Sequence, residues 1–173
     1  MKTNRLKQFN LLLTIALVAL CVPASLCQAS VEPELTLAVR QKNVVKVQQL
    51  LASGANIDER DEITEQTPLM RAVQVKDAGL VQILLAHGAS VNAQDDFGKT
   101  ALMMAATNDD AMIIKLLLHK GANVSLRDAN AVTAIGVARE RGRSQIVRLL
   151  TRSAEVVSRH DGKSLDSRSL AFR

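Results

Sequence analysis

Apolar residues recur along the chain in short runs with the spacing of a helix, and polar loops separate the runs. One run places Leu80, Ile83 and Leu84 at positions i, i+3 and i+4, and the same spacing recurs between residues 113 and 117. A stripe of this kind predicts an amphipathic helix that packs one face against neighbouring helices. A glycine closes each run, and a polar stretch with the composition of turns follows it. The pattern therefore predicts pairs of short helices joined by polar loops.

Two sequence markers recur with one period, which identifies the helix pairs as repeats. Glycines close successive apolar runs at intervals of 34 and 33 residues: Gly54, Gly88 and Gly121. Threonines recur at intervals of 33 residues: Thr67, Thr100 and Thr133. A Thr hydroxyl can cap the first turn of a helix, and Pro fits the first helical position, as at Pro68. Gly tolerates the left-handed conformation past a helix end. The markers therefore predict where each helix pair begins and ends.

Two helices, a glycine stop and a projecting loop with this period resemble the ankyrin repeat, whose pattern runs D-x-x-G-x-T-P-L-H-x-A-A through I-V-x-x-L-L-x-x-G-A-x-V-N. The closest unit is 95–127, where these residues fall on the family's positions: Gly98, Thr100, Leu102, Ala105, Ala106, Leu117, Leu118, Gly121, Ala122 and Val124. The resemblance covers residues 32–155, in units of about 34–60, 61–94, 95–127 and 128–155. It implies an all-α ankyrin-repeat solenoid of about four stacked helix-turn-helix units with projecting hairpin loops.

Some residues depart from the ankyrin pattern. The family's His after T-P-L, which hydrogen-bonds between loops, is replaced in the three later units: Met70, Met103 and Gly136. We therefore expect that hydrogen-bond network to be absent. The second unit has one extra loop residue and carries Glu65 where the family has Gly, and the first unit has no hairpin before it.

The fourth unit departs furthest from the pattern. Gly136 lies inside a predicted short helix, where Gly is less favourable than Ala by about 1 kcal/mol, so this unit should fray first. Ser153 replaces the stopping Gly, which predicts that the last helix continues to Val157. The repeat domain is thus expected to span 30–157 and a disordered basic tail to span 158–173.

The first 29 residues have the layout of a secretory signal peptide. Three cations precede a stretch over residues 11–22 that is apolar except for Thr14, and small residues follow. Cleavage after Ala29 fits the small-x-small rule; cleavage after Ala24 and an uncleaved membrane anchor are the alternatives. Both cysteines of the chain lie in this segment, so cleavage after Ala29 yields a protein that forms no disulfides. We expect a periplasmic or secreted protein with no membrane association after signal removal.

Composition argues against several other functions. The chain has no Trp, no Tyr and three Phe, which leaves little aromatic surface for stacking on nucleic-acid bases. The formal net charge of +5 includes three cations of the predicted signal peptide, so the mature protein is nearly neutral. The sequence contains no metal-ligand spacing, phosphate-binding loop or nucleophile motif. We expect no nucleic-acid partner, no metal, no cofactor and no enzymatic activity.

The ankyrin resemblance also implies where a partner binds, because hairpin tips and the inner face of the first helices make the contacts in that family. The family's contact positions correspond to these residues: Ile63, Thr64, Gln66, Arg71, Gln74, Val75, Asp96, Phe97, Lys99, Met104, Thr107, Asn108, Ala129, Asn130, Val132, Glu140 and Arg141. Phe97 either anchors a partner or folds down against the neighbouring hairpin. We expect Met103 in the core and Met104 at the surface.

Charge is distributed unevenly along the chain. Residues 30–110 contain seven basic and twelve acidic residues, whereas residues 111–173 contain twelve basic and five acidic ones. The acidic residues cluster at 58–65 and 95–96, and arginines crowd the last unit. Sequence order is spatial order in a solenoid, so one end is acidic and the other basic. The asymmetry either steers an acidic partner or reflects random drift of surface charge.

These observations together predict a monomeric, non-enzymatic protein-interaction module of the kind found in exported bacterial ankyrin-repeat proteins. It would bind a protein partner in the periplasm through its hairpin tips and concave helix face. Two alternatives remain open. One is an immunity or inhibitor protein that neutralises a toxic enzyme in the same compartment, and the other is a secreted effector that binds host proteins.

Overall fold

The computed structural model describes the backbone of residues 33–160 and the side chains of residues 33–155. This part of the chain forms eight α-helices, which pair into four helix-turn-helix repeats. They are α1 (Glu34–Arg40), α2 (Val44–Ala52), α3 (Pro68–Gln74), α4 (Ala78–Ala86), α5 (Ala101–Asn108), α6 (Ala111–His119), α7 (Ala134–Glu140) and α8 (Ser144–His160). The all-α solenoid predicted from the repeat pattern is confirmed. The predicted signal peptide lies outside the described residues.

The repeats stack through their first helices. α1 contacts α3, α3 contacts α5 and α5 contacts α7, and within each repeat the two helices contact each other. α4 also packs against α6. Leucines at equivalent positions in successive repeats are fully buried: Leu69 and Leu102 in first helices, and Leu84, Leu117 and Leu150 in second helices. The core is therefore one apolar layer that continues from repeat to repeat.

The first helix of each full repeat begins at a threonine cap, as the sequence predicts. Thr67, Thr100 and Thr133 accept hydrogen bonds from the amides of Met70, Met103 and Gly136, respectively. The second helices of the second and third repeats begin at aspartates. Asp77 caps α4 and Asp110 caps α6 through their carboxylates. These side chains satisfy amides of the first turn that have no partner within the helix.

A left-handed residue that the repeat pattern does not predict joins the two helices of every repeat. The residues at this position have positive φ angles: Lys42 (55°), Lys76 (55°), Asp109 (60°) and Gly142 (67°). Only the last is glycine, so composition gave no signal for the turn. The conformation costs a non-glycine residue roughly 1–2 kcal/mol. Packing of the two helices that the turn connects must supply the compensating stabilisation.

The fourth repeat differs from the prediction in two details. α8 extends to His160, so three residues assigned to the tail are helical and the remaining tail lies outside the described residues. A β-carbon at Gly136 would lie 2.8 Å from Cγ1 of Val132. Gly136 therefore allows the hairpin to approach α7. Ala at this position would gain its higher helix propensity only if Val132 moved away from the added β-carbon.

Candidate protein-interaction groove

Three hairpins of the same construction project from the stack, each headed by an aspartate. The amide of each aspartate donates to a carbonyl oxygen across the hairpin, from Asp61 to Gln66, Asp95 to Lys99 and Asp128 to Val132, at 3.0 Å. One carboxylate oxygen accepts from two amides of the tip in each case: Ile63 and Thr64 for Asp61, Phe97 and Lys99 for Asp95, and Asn130 and Val132 for Asp128. The aspartates thus fix the shape of the tips.

Glycine is not required at the left-handed position of these hairpins. Glu65, Gly98 and Ala131 precede the last hairpin residue in their respective repeats, and all three have positive φ angles. Glu65 therefore takes the conformation of the family's Gly despite the extra loop residue. Gly98 has a second role, because a β-carbon there would lie 3.0 Å from the amide nitrogen of Ala129. Because Gly98 has no β-carbon, the amide of Ala129 can donate to the carbonyl oxygen of Phe97 at 2.8 Å.

Other side chains link neighbouring loops where the family's His is missing. Arg60 donates through Nη1 to the carbonyl oxygen of Gln94 at 2.8 Å. Gln94 in turn donates through Nε2 to the carbonyl oxygens of Gly98, at 2.6 Å, and Arg127, at 2.9 Å. The inter-loop connection is therefore made by an arginine and a glutamine that belong to the loops themselves. Neither residue falls on the family's network position, so the ankyrin pattern does not predict their role.

The hairpins and the first helices enclose a groove with a cavity of about 300 Å³. Seven predicted contact residues line it: Gln66, Gln74, Phe97, Lys99, Met104, Thr107 and Asn108. Four further residues line it that the sequence analysis did not select as contacts: Asp95, Met103, Asp128 and Val137. The other predicted residues lie outside this cavity: Ile63, Thr64, Arg71, Val75, Asp96, Ala129, Asn130, Val132, Glu140 and Arg141. The groove thus centres on the third repeat and its neighbours.

The polar side chains of the groove are held by hydrogen bonds to one another and to the backbone. Gln74 donates through Nε2 to Oε1 of Gln66 at 3.0 Å and receives a hydrogen bond from Arg71 at 2.9 Å. Asn108 donates to the carbonyl oxygen of Val73 at 3.1 Å, which bridges two repeats. These side chains are therefore ordered before any partner arrives, which reduces the entropy lost on binding.

The two methionines of the third repeat lie beneath these polar groups. Met103 is buried, as predicted. Met104 is also buried, with 9% of its surface exposed, so the prediction that it is a surface residue is wrong. Its sulfur lies 3.8 Å from Nε2 of Gln74. Packing against the side chain of the preceding repeat covers Met104 and leaves its edge as part of the groove floor.

Phe97 stands exposed at the tip of the middle hairpin. Its side chain keeps 61% of its surface exposed, so of the two alternatives the free tip is correct and the ring does not fold down. The ammonium group of Lys99 lies 5.6 Å from the ring centroid, within the range of a cation–π interaction. Ile63, at the equivalent position of the preceding hairpin, is 70% exposed. Two neighbouring tips therefore present apolar side chains to solvent.

The family assignment agrees with this geometry. A model of the family described as ankyrin repeats in three copies matches residues 35–128, which is more than half of the chain. The chain belongs to the ankyrin-repeat family. A search of the curated proteins finds no match. The helix pair of the fourth ankyrin repeat lies beyond the matched residues, yet the threonine cap, hairpin and helix pair of this repeat follow those of the second and third.

Ankyrin repeats are typically non-enzymatic modules for protein interaction. Between residues 33 and 155, no three side chains of His, Cys, Asp or Glu come together as metal ligands. His87 instead has Nδ1 2.9 Å from the carbonyl oxygen of Ile83, at the end of α4. None of the helices in the described part of the chain has the length and hydropathy required to cross a bilayer.

Some carboxylates in and beside the first hairpin form hydrogen bonds that stabilise the fold. Burial raises the pKa of Asp61, but hydrogen bonds from the amides of Ile63 and Thr64 and the nearby Arg71 outweigh burial, so its pKa is lowered overall. Asp58 accepts two hydrogen bonds from Ser90 of the next repeat. The acidic cluster predicted as a surface feature therefore contains carboxylates that hold ankyrin hairpins together.

Asp61→Ala should reduce the free energy of unfolding by about 1–3 kcal/mol at pH 7, because two tip amides lose their acceptor. A lowered pKa in the folded state means that this stabilisation is complete above the unfolded-state value of about 3.9 and is lost as the pH falls through the folded-state pKa. The difference between wild type and variant should therefore shrink below about pH 4. Urea unfolding at pH 7 and pH 3 measures both values.

Asp96→Ala is the matched control for this substitution, since Asp96 is exposed and adjoins the middle hairpin's aspartate. It should change the free energy of unfolding by no more than about 0.5 kcal/mol at either pH. A loss for Asp61→Ala that matches the control at pH 7 would contradict the role assigned to the hairpin aspartates.

Proposed function

We propose that this ankyrin-repeat protein binds one protein partner in the periplasm through the groove and the hairpin tips, without catalysing a reaction. The observation that carries the proposal is the exposed Phe97 at the rim of a groove of about 300 Å³. Aromatic residues, Phe among them, are enriched at the centres of protein interfaces, where a few buried side chains supply most of the binding energy. The groove supplies apolar surface from Met104 and Val137 and hydrogen-bonding groups from Gln74 and Asn108.

Rigidity of the tips supports this proposal. Asp95 holds the amides on both sides of the Phe97 tip, and the amide of Ala129 binds the carbonyl oxygen of Phe97. The ring is thus presented on a backbone that loses little freedom on binding. Preorganisation of this kind raises affinity by lowering the entropic cost of association.

The compartment rests on the sequence. The cations, the apolar run and the small residues before Ser30 form one consistent signal for export. Removal of residues 1–29 would also remove both cysteines. A protein without thiols is suited to an oxidising compartment, because it neither forms nor scrambles disulfides.

Purification of the exported protein from periplasm, together with what it retains, tests the proposal. We expect the mature chain to begin at Ser30, to contain no titratable thiol and to carry one stoichiometric protein partner. N-terminal sequencing, a thiol titration and identification of the partner measure these outcomes. A housekeeping protein supports the proposal as stated, whereas a toxic enzyme inhibited by the complex would favour the immunity alternative.

Two results would contradict the proposal. A chain that begins at Met1 in the cytosol would remove the periplasmic assignment, and with it most of the argument for the partner. Recovery of mature protein in the medium, bound to host protein when host cells are present, would favour the secreted effector instead.

A further inference from the structure

The end of the solenoid carries a second cavity, separate from the groove. It has a volume of about 390 Å³ and is lined by Arg139, Gly142, Arg143, Ser144, Val147 and Arg148. These residues come from the end of α7, the turn after it and the first turns of α8. We call this surface the arginine end face.

Comparison with the preceding repeats identifies the arginine end face as the surface on which a further repeat would stack. The residues that correspond to Arg139 in the first three repeats are apolar and buried: Val39, Val73 and Ala106. Those that correspond to Val147 are buried as well: Val47, Val81 and Ile114. Each of these repeats is followed by another, whereas no described repeat follows the fourth. The last repeat thus places an exposed arginine where the others have core.

One of the three arginines of the arginine end face forms an ion pair. Nη1 of Arg143 lies 3.0 Å from Oδ2 of Asp109, on the preceding repeat. Arg139 and Arg148 have no ion pair or hydrogen bond from their side chains to any residue described between 33 and 155. A terminal repeat needs a polar outer surface for solubility, but mixed charges would provide it without the repulsion between like charges. The single sign of charge therefore calls for another explanation.

We propose that the arginine end face binds an acidic peptide segment of the protein partner, with glutamate or aspartate side chains paired to its guanidinium groups. This inference rests on the proposed function and adds a second contact outside the groove. Guanidinium groups bind carboxylates in a bidentate geometry, and the arginine stems and Val147 provide apolar surface for the methylene groups of acidic side chains. A cavity of about 390 Å³ is large for one small anion and suits a short peptide segment.

The chain's own residues fit this surface less well. Residues 161–173 contain two acidic and three basic side chains, so they offer the arginines no excess of carboxylates. Two acidic residues in and before the first hairpin are engaged within the molecule: Asp58 with Ser90 and Asp61 with Arg71. Charge complementarity therefore favours a separate acidic segment over the tail, and the sedimentation measurement below distinguishes that segment from the acidic residues 58–65 of a second copy.

A fluorescein-labelled peptide of ten glutamates provides a probe for this surface. Its affinity for the exported protein, measured by fluorescence anisotropy at low salt, should fall about tenfold or more in Arg139→Gln/Arg143→Gln/Arg148→Gln. The slope of affinity against salt concentration should also flatten, because fewer charge pairs form. Urea unfolding of the variant checks that it remains folded.

A matched control removes three exposed cations from other places: Lys76→Gln/Lys115→Gln/Lys120→Gln. Net charge falls by the same amount, so an equal loss of affinity in both variants would overturn the proposal and indicate binding to overall charge. Competition by inorganic phosphate at the concentration of the peptide, or preference for vesicles of anionic phospholipid over the peptide, would also overturn it. Self-association of the wild type that the arginine variant abolishes, seen by sedimentation, would instead identify a second copy as the occupant.

The test separates this inference from the proposed function. Phe97→Ala should leave the peptide affinity unchanged, because Phe97 lies outside the arginine end face. Retention of the partner by the arginine variant with unaltered association rate would overturn the second contact and leave the groove in place. If the exported wild-type protein retains no partner but still binds the peptide, the proposed function at the groove fails while the peptide-binding surface stands.

Discussion

Leu117→Ala should lower the free energy of unfolding by about 2–5 kcal/mol. Leu117 lies in α6 with none of its surface exposed, at the centre of the apolar layer that joins the third repeat to its neighbours. Truncation removes buried methyl groups and leaves a cavity that the flanking repeats on both sides cannot close completely. Leu84→Ala, at the equivalent position of α4, should have a similar effect. Urea unfolding followed by circular dichroism measures both.

Ile135→Ala provides the comparison at the end of the stack. Ile135 is only partly buried and has no further repeat beyond its own among the residues described. Since the stability of a solenoid is nearly a sum of repeat and interface contributions, a change in the terminal repeat should cost less, about 1–2 kcal/mol. Equal losses at 117 and 135, or a larger loss at 135, would contradict the view that the fourth repeat is the weaker end.

Phe97→Ala should weaken binding of the proposed protein partner by about 30-fold or more, equivalent to about 2 kcal/mol. The ring is exposed in the free protein and stands on a hairpin whose backbone Asp95 and Ala129 hold in place. Truncation therefore removes contact area without disturbing the fold. The loss should appear mainly as faster dissociation, because the side chain carries no charge that steers association. Surface plasmon resonance with the retained partner resolves the two rates.

Met112→Ala is the matched control for the aromatic anchor. Met112 is exposed to a similar degree, 59% against 61%, but lies at the start of α6 and does not line the groove. Its substitution should leave both rate constants within about twofold of wild type, since substitutions away from an interface rarely exceed 0.5 kcal/mol. If both variants bind equally well, the hairpin tip is not the anchor.

Under the two proposals, the groove and the arginine end face divide recognition between two kinds of contact. The groove offers apolar surface and ordered hydrogen-bonding groups, which govern how slowly a complex dissociates. The end face offers charge, which chiefly raises the rate of encounter. Substitutions at Phe97 and at Arg139 should therefore affect different rate constants for the same partner.

Much of the fold could be predicted from the sequence, because the information is local and repeated. The threonine caps at 67, 100 and 133 and the glycine stops at 54, 88 and 121 each act within one helical turn. The apolar stripe on α6 requires only helical geometry to reach the core. The extension of the last helix past Ser153 was predictable for the same reason, since nothing in the sequence stops it. These features give the repeat, its period and the all-α class.

Only the tertiary structure decided what depends on neighbouring repeats. Met104 is buried because Gln74 of the preceding repeat covers it, and the residue's own helix gives no indication of this. Lys42 and Lys76 adopt left-handed turns because the helices on either side pack together, at a local cost that composition does not reveal. The same is true of Arg139. It occupies the position of the buried Val73 in another repeat, and only the structure shows that this position is exposed in the last repeat. Periodicity within the chain determines the repeat, whereas contacts between residues about 33 positions apart determine which of its surfaces remain free to bind.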